Sequence, residues 1–126
     1  MIDPDAFLKI CPSRSIVARL SGKWPLLILA LLKEEPMRFG EIKRQIEGIS
    51  QKVLTENLRS LERDGLLTRT VYDEMPLRVE YKATPFASDL SAIVRQIKYW
   101  SEENMHLIHE NNKKYDTKKD NEKQLF

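Results

Sequence analysis

Residues 39–65 read FGEIKRQIEGISQKVLTENLRSLERDG, and this stretch decides the fold. Apolar residues at helical spacing predict a short helix over residues 39–47, which Gly48 ends. Ser50 is placed as the N-cap of a second helix, which closes at Gly65. Two helices joined by so tight a turn are typical of a helix-turn-helix motif.

The second of these helices has two different faces on a helical wheel of ~100° per residue. Its apolar arc, expected to face the core, consists of Val53, Leu54, Leu58 and Leu61. The opposite arc carries Lys52, Thr55, Glu56, Arg59 and Arg63, with Gln51 at its edge. Because the N-terminal residues of a recognition helix enter the major groove first, we expect Gln51, Lys52 and Thr55 to contact bases. Arg59 and Arg63 are expected to contact phosphate. An ordinary amphipathic surface helix has the same pattern, and the position after a tight turn is what favours DNA reading.

A β-hairpin is predicted directly after this helix. Residues 66–72 and 78–84 are rich in β-branched and aromatic residues, and DEMPL between them predicts the loop of a wing. Arg78 near the wing tip is a phosphate candidate, although Glu74 opposes such a contact. Helix N-termini favour anions, so Lys23 and Arg38, which lie near two predicted helix N-termini, are further phosphate candidates. Outside the polar arc of the second helix, the predicted DNA-binding residues are Ser50, Lys23, Arg38 and Arg78. For each of the three cations, a solvated side chain without a DNA contact is an equal alternative.

Two helices are predicted before the motif. Pro12 begins a segment with helical apolar spacing that ends at Gly22, and Pro25 opens the next helix. Residues 26–32 are apolar nearly all round that second helix, so we expect it to be the buried core helix.

A long helix is predicted over residues 85–110, with Thr84 as its N-cap. Its apolar residues are spaced alternately by four and three, which is typical of a coiled-coil a/d seam. The seam consists of Phe86, Leu90, Ile93, Ile97, Trp100, Asn104 and Leu107. We expect the start of the helix to pack on its own domain and the rest to pair with the same helix of a second subunit. The predicted dimerisation residues are Ile93, Ile97, Trp100, Asn104 and Leu107, and a buried Asn104 at an a position can fix the register. The alternative is that part of the seam packs on the core helix of the same chain and Asn104 is solvated.

Length and composition indicate one globular domain. With 126 residues, 41% of them apolar and 32% charged, the chain supports a single modest core. The predicted fold class is α+β, mainly helical: a winged helix-turn-helix with a two-stranded β-hairpin wing and a long C-terminal dimerisation helix. Residues 1–11 are predicted to be an N-terminal arm, residues 12–110 the domain, and the Lys/Asn/Asp-rich residues 111–126 a disordered tail.

Charge and cysteine content restrict partners and compartment. The net charge is only +2, so basic residues that bind DNA must cluster on one face. The longest apolar run is far shorter than the ~20 residues that cross a bilayer, and no signal peptide is expected. A single cysteine allows no intramolecular disulfide, and we expect the cytoplasm and no membrane partner.

Four sequence blocks in this order closely resemble the HxlR family of bacterial winged-helix regulators: GKW at 22–24, ISQKVLT at 49–55, DGL at 64–66 and RVEY at 78–81. The resemblance covers residues 11–100. It implies a homodimer that binds a palindromic double-stranded DNA operator as a repressor or an activator, with the helix after Ser50 as its recognition helix. Pro25 stands where many members have a small polar residue. Asn57 stands where many have Arg, which puts one phosphate contact in doubt.

Cys11 is a candidate redox sensor. It precedes a helix N-terminus, with Arg14 close by, and both the helix dipole and the guanidinium favour the thiolate. The resemblance implies the same role, because some members sense oxidants or electrophiles with a cysteine at this position. The alternative is an inert structural thiol.

Other chemistry has little support in the sequence. His106 and His109 have a spacing compatible with zinc, but no further ligands accompany them, and we expect no metal and no cofactor. Neither a phosphate loop nor a nucleophile elbow is present, so we do not expect an enzyme. The competing hypothesis is a winged-helix protein-interaction module, which would usually have lost the basic face of the reading helix. No small-molecule or redox effector can be identified from the sequence.

Overall fold

The computed structural model describes residues 3–124. The first two residues of the predicted arm and the last two of the predicted tail lie outside this range. The elements in chain order are α1 (Pro12–Leu20), α2 (Lys23–Leu32), β1 (Met37–Arg38), α3 (Phe39–Gln45), α4 (Gln51–Arg63), β2 (Leu67–Tyr72), β3 (Arg78–Ala83) and α5 (Ser88–Gln124). One 3-10 turn, Pro85–Ala87, precedes α5. The predicted mainly helical α+β fold is confirmed.

The turn between α3 and α4 is set by local chemistry. Gly48 has a φ of 88°, in the left-handed region that residues with a Cβ rarely adopt. Ser50 then caps α4, because its hydroxyl oxygen accepts the Val53 N–H at 3.1 Å. At the other end Gly65, with a φ of 77°, lets the Leu66 N–H reach the Leu61 carbonyl at 2.9 Å. These interactions explain why α4 begins after Ser50 and ends before Gly65, as the sequence predicted.

The hydrophobic core forms around α2 and the inner face of α4. Four residues of α2 are buried as predicted, Ile28, Leu29, Ala30 and Leu32, but Leu27 is 38% exposed, so the helix is not buried all round. On α4, three of the four apolar residues are at most 2% exposed. The fourth, Val53, is half-buried against the core. The largest fully buried apolar side chains are Ile28, Leu29, Leu32, Ile42, Leu54, Leu58, Leu61 and Leu67. The polar arc of α4 must therefore face away from the core.

The wing belongs to an antiparallel sheet of strand order β1-β3-β2. Strands β2 and β3 pair from Leu67↔Ala83 to Tyr72↔Arg78, as the predicted hairpin requires. A third strand, the two residues of β1, adds to β3 with Met37 opposite Tyr81. Two residues are too few for an alternating pattern, which explains why the sequence did not predict β1.

Two predicted boundaries near the N-terminus are wrong by a few residues. Gly22 is the N-cap of α2 and does not end α1, whose C-cap is Ser21. Helix α2 begins at Lys23, which places Pro25 at the third position. A proline is tolerated there because the N–H groups of the first turn have no partner within the helix.

The predicted disordered tail is also wrong, because α5 continues to Gln124. Every residue from 105 to 124 is exposed, so no apolar period was required for this segment to be helical. It contains no proline or glycine, and five of its twenty residues are lysines, which favour helix. Opposite charges four residues apart, Glu110 with Lys114 and Lys118 with Glu122, add support.

The chain divides into two compact units, one ending at Val94 and the other beginning at Arg95. Within residues 3–124 no single helix has the length and hydropathy to cross a membrane; α1 and α2 reach them only together, across a bend of 74°. The same residues contain no cluster of three His, Cys, Asp or Glu side chains that would hold a metal ion.

Candidate nucleic-acid interface

The outer face of α4 presents the predicted reading residues together. Gln51, Lys52, Arg59 and Arg63 are exposed, and Thr55 is half-buried. Within residues 3–124, the cations Lys52, Arg59 and Arg63 have no ion pair, although acidic residues share their helix. Three cations against Glu56 therefore leave this face with a net positive charge, and no carboxylate of the described residues holds the cations in an ion pair.

Two polar side chains of α4 are oriented by its backbone. The Thr55 hydroxyl donates to the Gln51 carbonyl at 2.8 Å, which leaves its oxygen free to accept from outside the helix. The Asn57 amide donates to the Val53 carbonyl at 2.8 Å and is half-buried. Asn57 is thus occupied locally, which explains why it does not belong to the outer face.

A polar cleft of 330 Å³ lies between α4 and the sheet. Thr55, Arg59 and Glu62 line it from the helix, while Arg69 and Tyr81 line it from β2 and β3. Arg69 and Tyr81 are partners in the strand register, and Arg69 is exposed without an ion pair in the described residues. The candidate set from sequence missed Arg69. Strand alternation was the available signal, because Arg69 stands two residues after the buried Leu67 and so shares its face.

The wing tip holds Arg78 much more tightly than predicted. Its guanidinium donates to Glu74 at 3.1 Å and Glu80 at 3.2 Å, and lies 3.8 Å from the Tyr72 ring centroid. Two carboxylates and a ring face therefore compete with any external anion for this cation. The structure gives less support to Arg78 than to the cations of α4.

The two other cation candidates lie at helix N-termini. Arg38 is exposed at the N-cap of α3, and its backbone N–H donates to the Glu41 carboxylate at 3.2 Å. This satisfies one of the N-terminal donors, and the Arg38 side chain itself stays available. Lys23 is the first residue of α2, with its Nζ 4.4 Å from the Trp24 ring centroid.

The Cys11 thiol is half-buried at the N-cap of α1. Its Sγ lies 3.0 Å from the Ser13 Oγ and accepts the Asp5 N–H at 3.3 Å. The Ser13 hydroxyl first, and backbone N–H groups second, lower the pKa of the Cys11 thiol below its ordinary value. The direction agrees with the prediction. Of the two expected causes, the helix N-terminus contributes through the Ser13 N–H, whereas the Arg14 guanidinium is not among the causes, and the leading cause, the Ser13 hydroxyl, was not predicted.

The first part of α5 has a buried face that is rotated from the predicted seam. Ala87, Ser91 and Val94 are buried, and Leu90 packs partly against the core. Phe86, which the seam placed against the same domain, is 75% exposed. Ile93 is 53% exposed as well, so the buried face of this segment does not coincide with the predicted seam.

From Arg95 onward, the predicted dimerisation residues remain accessible. Ile97, Trp100 and Leu107 are about half exposed, at 49%, 59% and 55%. Asn104 is half-buried, and its amide donates to the Trp100 carbonyl at 2.8 Å. Its side chain is therefore used within its own helix and is poorly placed to fix the register of a partner.

The winged helix with an exposed second helix defines the class of helix-turn-helix transcriptional regulators. The HxlR-like helix-turn-helix model matches residues 19–109, and the chain belongs to this family. The resemblance drawn from the four sequence blocks is thereby confirmed.

Three relatives illustrate the match. An uncharacterised HTH-type transcriptional regulator of Escherichia coli (strain K12), YtfH, is 38% identical over 99 residues, or 79% of each chain. The structure of YtfH from Salmonella typhimurium superposes with a TM-score of 0.82, at 32% identity, over 88% of this chain and 99% of that one. The redox regulator HypR in its oxidised form gives a TM-score of 0.69, at 38% identity, over 75% and 97% of the two chains.

Proposed function

We propose that this regulator binds a palindromic operator in double-stranded DNA as a homodimer, with one α4 in the major groove of each half-site. The observation that carries the proposal is the outer face of α4, where three cations lack ion pairs within the described residues. A polyanion is the partner that such a face fits.

Base reading falls to the N-terminal part of α4. Gln51 pairs well with adenine and Lys52 with guanine. Thr55 reads differently, because its hydroxyl proton is already given to the Gln51 carbonyl. Its oxygen therefore accepts from a base amino group, which adenine and cytosine carry in the major groove.

Phosphate contacts extend from α4 into the neighbouring cleft. Arg59 and Arg69 line this cleft from opposite sides, and Tyr81 adds a hydroxyl. Arg63, Arg38 and Lys23 are the other phosphate contacts that we propose. Arg78 is retained as the weakest member, since a phosphate must displace it from Glu74 and Glu80.

The homodimer is proposed to form through Ile93, Ile97, Trp100, Asn104 and Leu107 of α5. Its support is a run of accessible apolar side chains along one helix, including a tryptophan that is 59% exposed. Ordinary monomers do not leave such a seam in water. Two subunits would supply the pair of recognition helices that a palindrome needs.

A thiol response through Cys11 is the second proposal. Its support is the lowered pKa of the thiol and the similarity to HypR, a redox regulator. A lower pKa raises the fraction of reactive thiolate at neutral pH. Action in the cytoplasm, where such a thiol stays reduced until challenged, completes this proposal.

A salt titration of DNA binding tests the central proposal. An operator is first selected from genomic fragments, and its affinity is then measured by fluorescence anisotropy across salt concentrations. Contacts to six or more phosphates per dimer predict a log–log slope of about −5 or steeper. Arg59→Gln should make that slope shallower by about two, one contact in each half-site.

Lys118→Gln is the matched control, since it removes a fully exposed cation of α5 outside the proposed interface. This variant should leave the slope unchanged. A wild-type slope near zero would rule out DNA binding and favour the protein-interaction module.

A further inference from the structure

An apolar groove of 360 Å³ lies on the first unit, formed by α1, the end of α4 and the start of α5. Its walls include Ile16 and Leu20 from α1 and Phe86 and Leu90 from the region of α5. Ile16 and Phe86 are exposed, at 44% and 75%, so the walls are open to solvent within the described chain. The volume is in the lower part of the range for small-molecule sites, roughly 300–1,000 Å³.

The apolar groove carries more negative than positive charge. Arg19 and Asp64 lie at its edge, where the guanidinium donates to both carboxylate oxygens of Asp64, at 3.2 and 3.3 Å. Asp89 lines the groove as well and has no ion pair among residues 3–124. Two carboxylates therefore meet one guanidinium, and the free charge of the groove is negative.

We propose that this groove binds a small organic cation with an apolar body, of the alkylammonium or arylalkylammonium class. The apolar body lies between the α1 and α5 side chains and gains from removal from water. The ammonium head lies at Asp89, which provides the carboxylate that such a head requires when it is partly desolvated. A carboxylate ligand of the same shape would meet Asp89 with like charge.

The groove also adjoins the proposed recognition helix. Asp64 is the C-cap of α4, and its pair with Arg19 ties α1 to that helix end. An ammonium head at Asp89 adds positive charge to the groove that holds the Arg19–Asp64 pair, and so weakens this tie. An effect of the ligand on DNA affinity rests on the proposed function, whereas binding of the ligand does not.

Calorimetric titration of the full chain without DNA tests the proposal. The probes are phenylbutylammonium, phenylbutanol and phenylbutyrate, which share one apolar body and differ in the charge of the head. We expect the ammonium to bind most tightly and the carboxylate most weakly. Asp89→Asn should weaken the ammonium by about two- to fivefold, as for a partly exposed ion pair, and should not weaken the alcohol.

Two further variants sharpen the result. Asp73→Asn removes an exposed carboxylate of the wing loop and should leave all three affinities unchanged. Arg19→Gln releases Asp64 and should tighten the ammonium. Equal affinities for the three probes, or equal effects of Asp89→Asn and Asp73→Asn, would overturn the proposal. Failure of every probe to bind would also overturn it and would indicate that a second copy of the chain covers the groove.

The DNA affinity is then measured with and without saturating phenylbutylammonium. If the probes bind as expected but no operator is found, the proposed function fails while the ligand site stands. If the operator binds but the probes do not, the opposite holds.

Discussion

Helix α4 and the part of α5 from Arg95 onward are both amphipathic, but they use their faces in opposite ways. Helix α4 buries its apolar side chains in the core and exposes cations that lack ion pairs in the described residues. In α5, no residue from 95 to 124 is buried, and its apolar seam lies in solvent. The exposed face of α4 is therefore suited to an anionic partner, and the exposed seam of α5 is suited to an apolar one. The comparison predicts that damage to either helix has a different signature.

The largest expected effect is on the α5 seam. Ile97→Asp with Trp100→Ala should give a folded monomer, seen by sedimentation, because a charge on the seam prevents apolar pairing. The monomer loses the effective concentration of the second half-site, so operator affinity should fall by about 10²–10⁴-fold.

Tyr99→Ala with His106→Asp is the matched control, since both residues lie on the other side of the same helix. This control should remain a dimer and keep its affinity. A seam variant that still sediments as a dimer would place the interface elsewhere, most plainly on α1.

The next effect is on the inner face of α4. Leu58 is 2% exposed, and Leu58→Ala should lower the free energy of unfolding by about 2–5 kcal/mol, as buried leucine truncations do. Glu56→Ala on the exposed face should change it by less than about 0.5 kcal/mol. Urea denaturation measures both, and similar values for the two variants would contradict the assignment of the faces.

A smaller effect is expected at the outer face of α4. Lys52→Ala and Thr55→Val should each weaken operator binding by about 1–3 kcal/mol per half-site while leaving the unfolding curve unchanged. Thr55→Val keeps the branched shape and removes the acceptor oxygen, so its binding to random DNA should be normal. Unchanged operator affinity in both variants, measured by anisotropy, would show that another face reads the bases.

The smallest effect is on the Cys11 thiol. Ser13 is the main cause of its lowered pKa, so Ser13→Ala should raise the pKa and move the alkylation-rate profile to higher pH. Ser15→Ala is the control, because the Ser15 hydroxyl donates to the Pro12 carbonyl and does not contact the thiol.

Operator binding tests the thiol response itself. Cys11→Ser should bind the operator normally but no longer respond to peroxide or a quinone. A wild-type protein whose affinity ignores both agents would end the redox proposal.

The regions predicted best from sequence are those where one local pattern determines the result. The two faces of α4 follow from helical spacing, and its ends follow from Ser50 and Gly65, whose side chain and φ act within a few residues. Strand alternation and the turn signal likewise predict the β2–β3 hairpin.

The errors arise where several residues far apart must be known together. The sequence places Glu74 near Arg78, but Glu80 and Tyr72 converge on its guanidinium only once the strands pair. The helix beyond residue 110 was missed since its propensity is spread over many charged side chains without an apolar period. Strand β1 exists because β3 offers an edge to it, which no pattern in two residues reveals.

The contacts that hold Arg78 to Glu74, Glu80 and Tyr72 have a consequence for how DNA sequence is recognised. Contacts to phosphate carry no information about sequence, whereas contacts to base edges do. With the wing arginine held by its own hairpin, the base contacts that we propose for each subunit are limited to Gln51, Lys52 and Thr55. Three base-contacting residues specify only a short half-site, which recurs by chance throughout a genome. In the proposed dimer, the fixed spacing between two half-sites would supply the sequence discrimination that neither half-site provides alone.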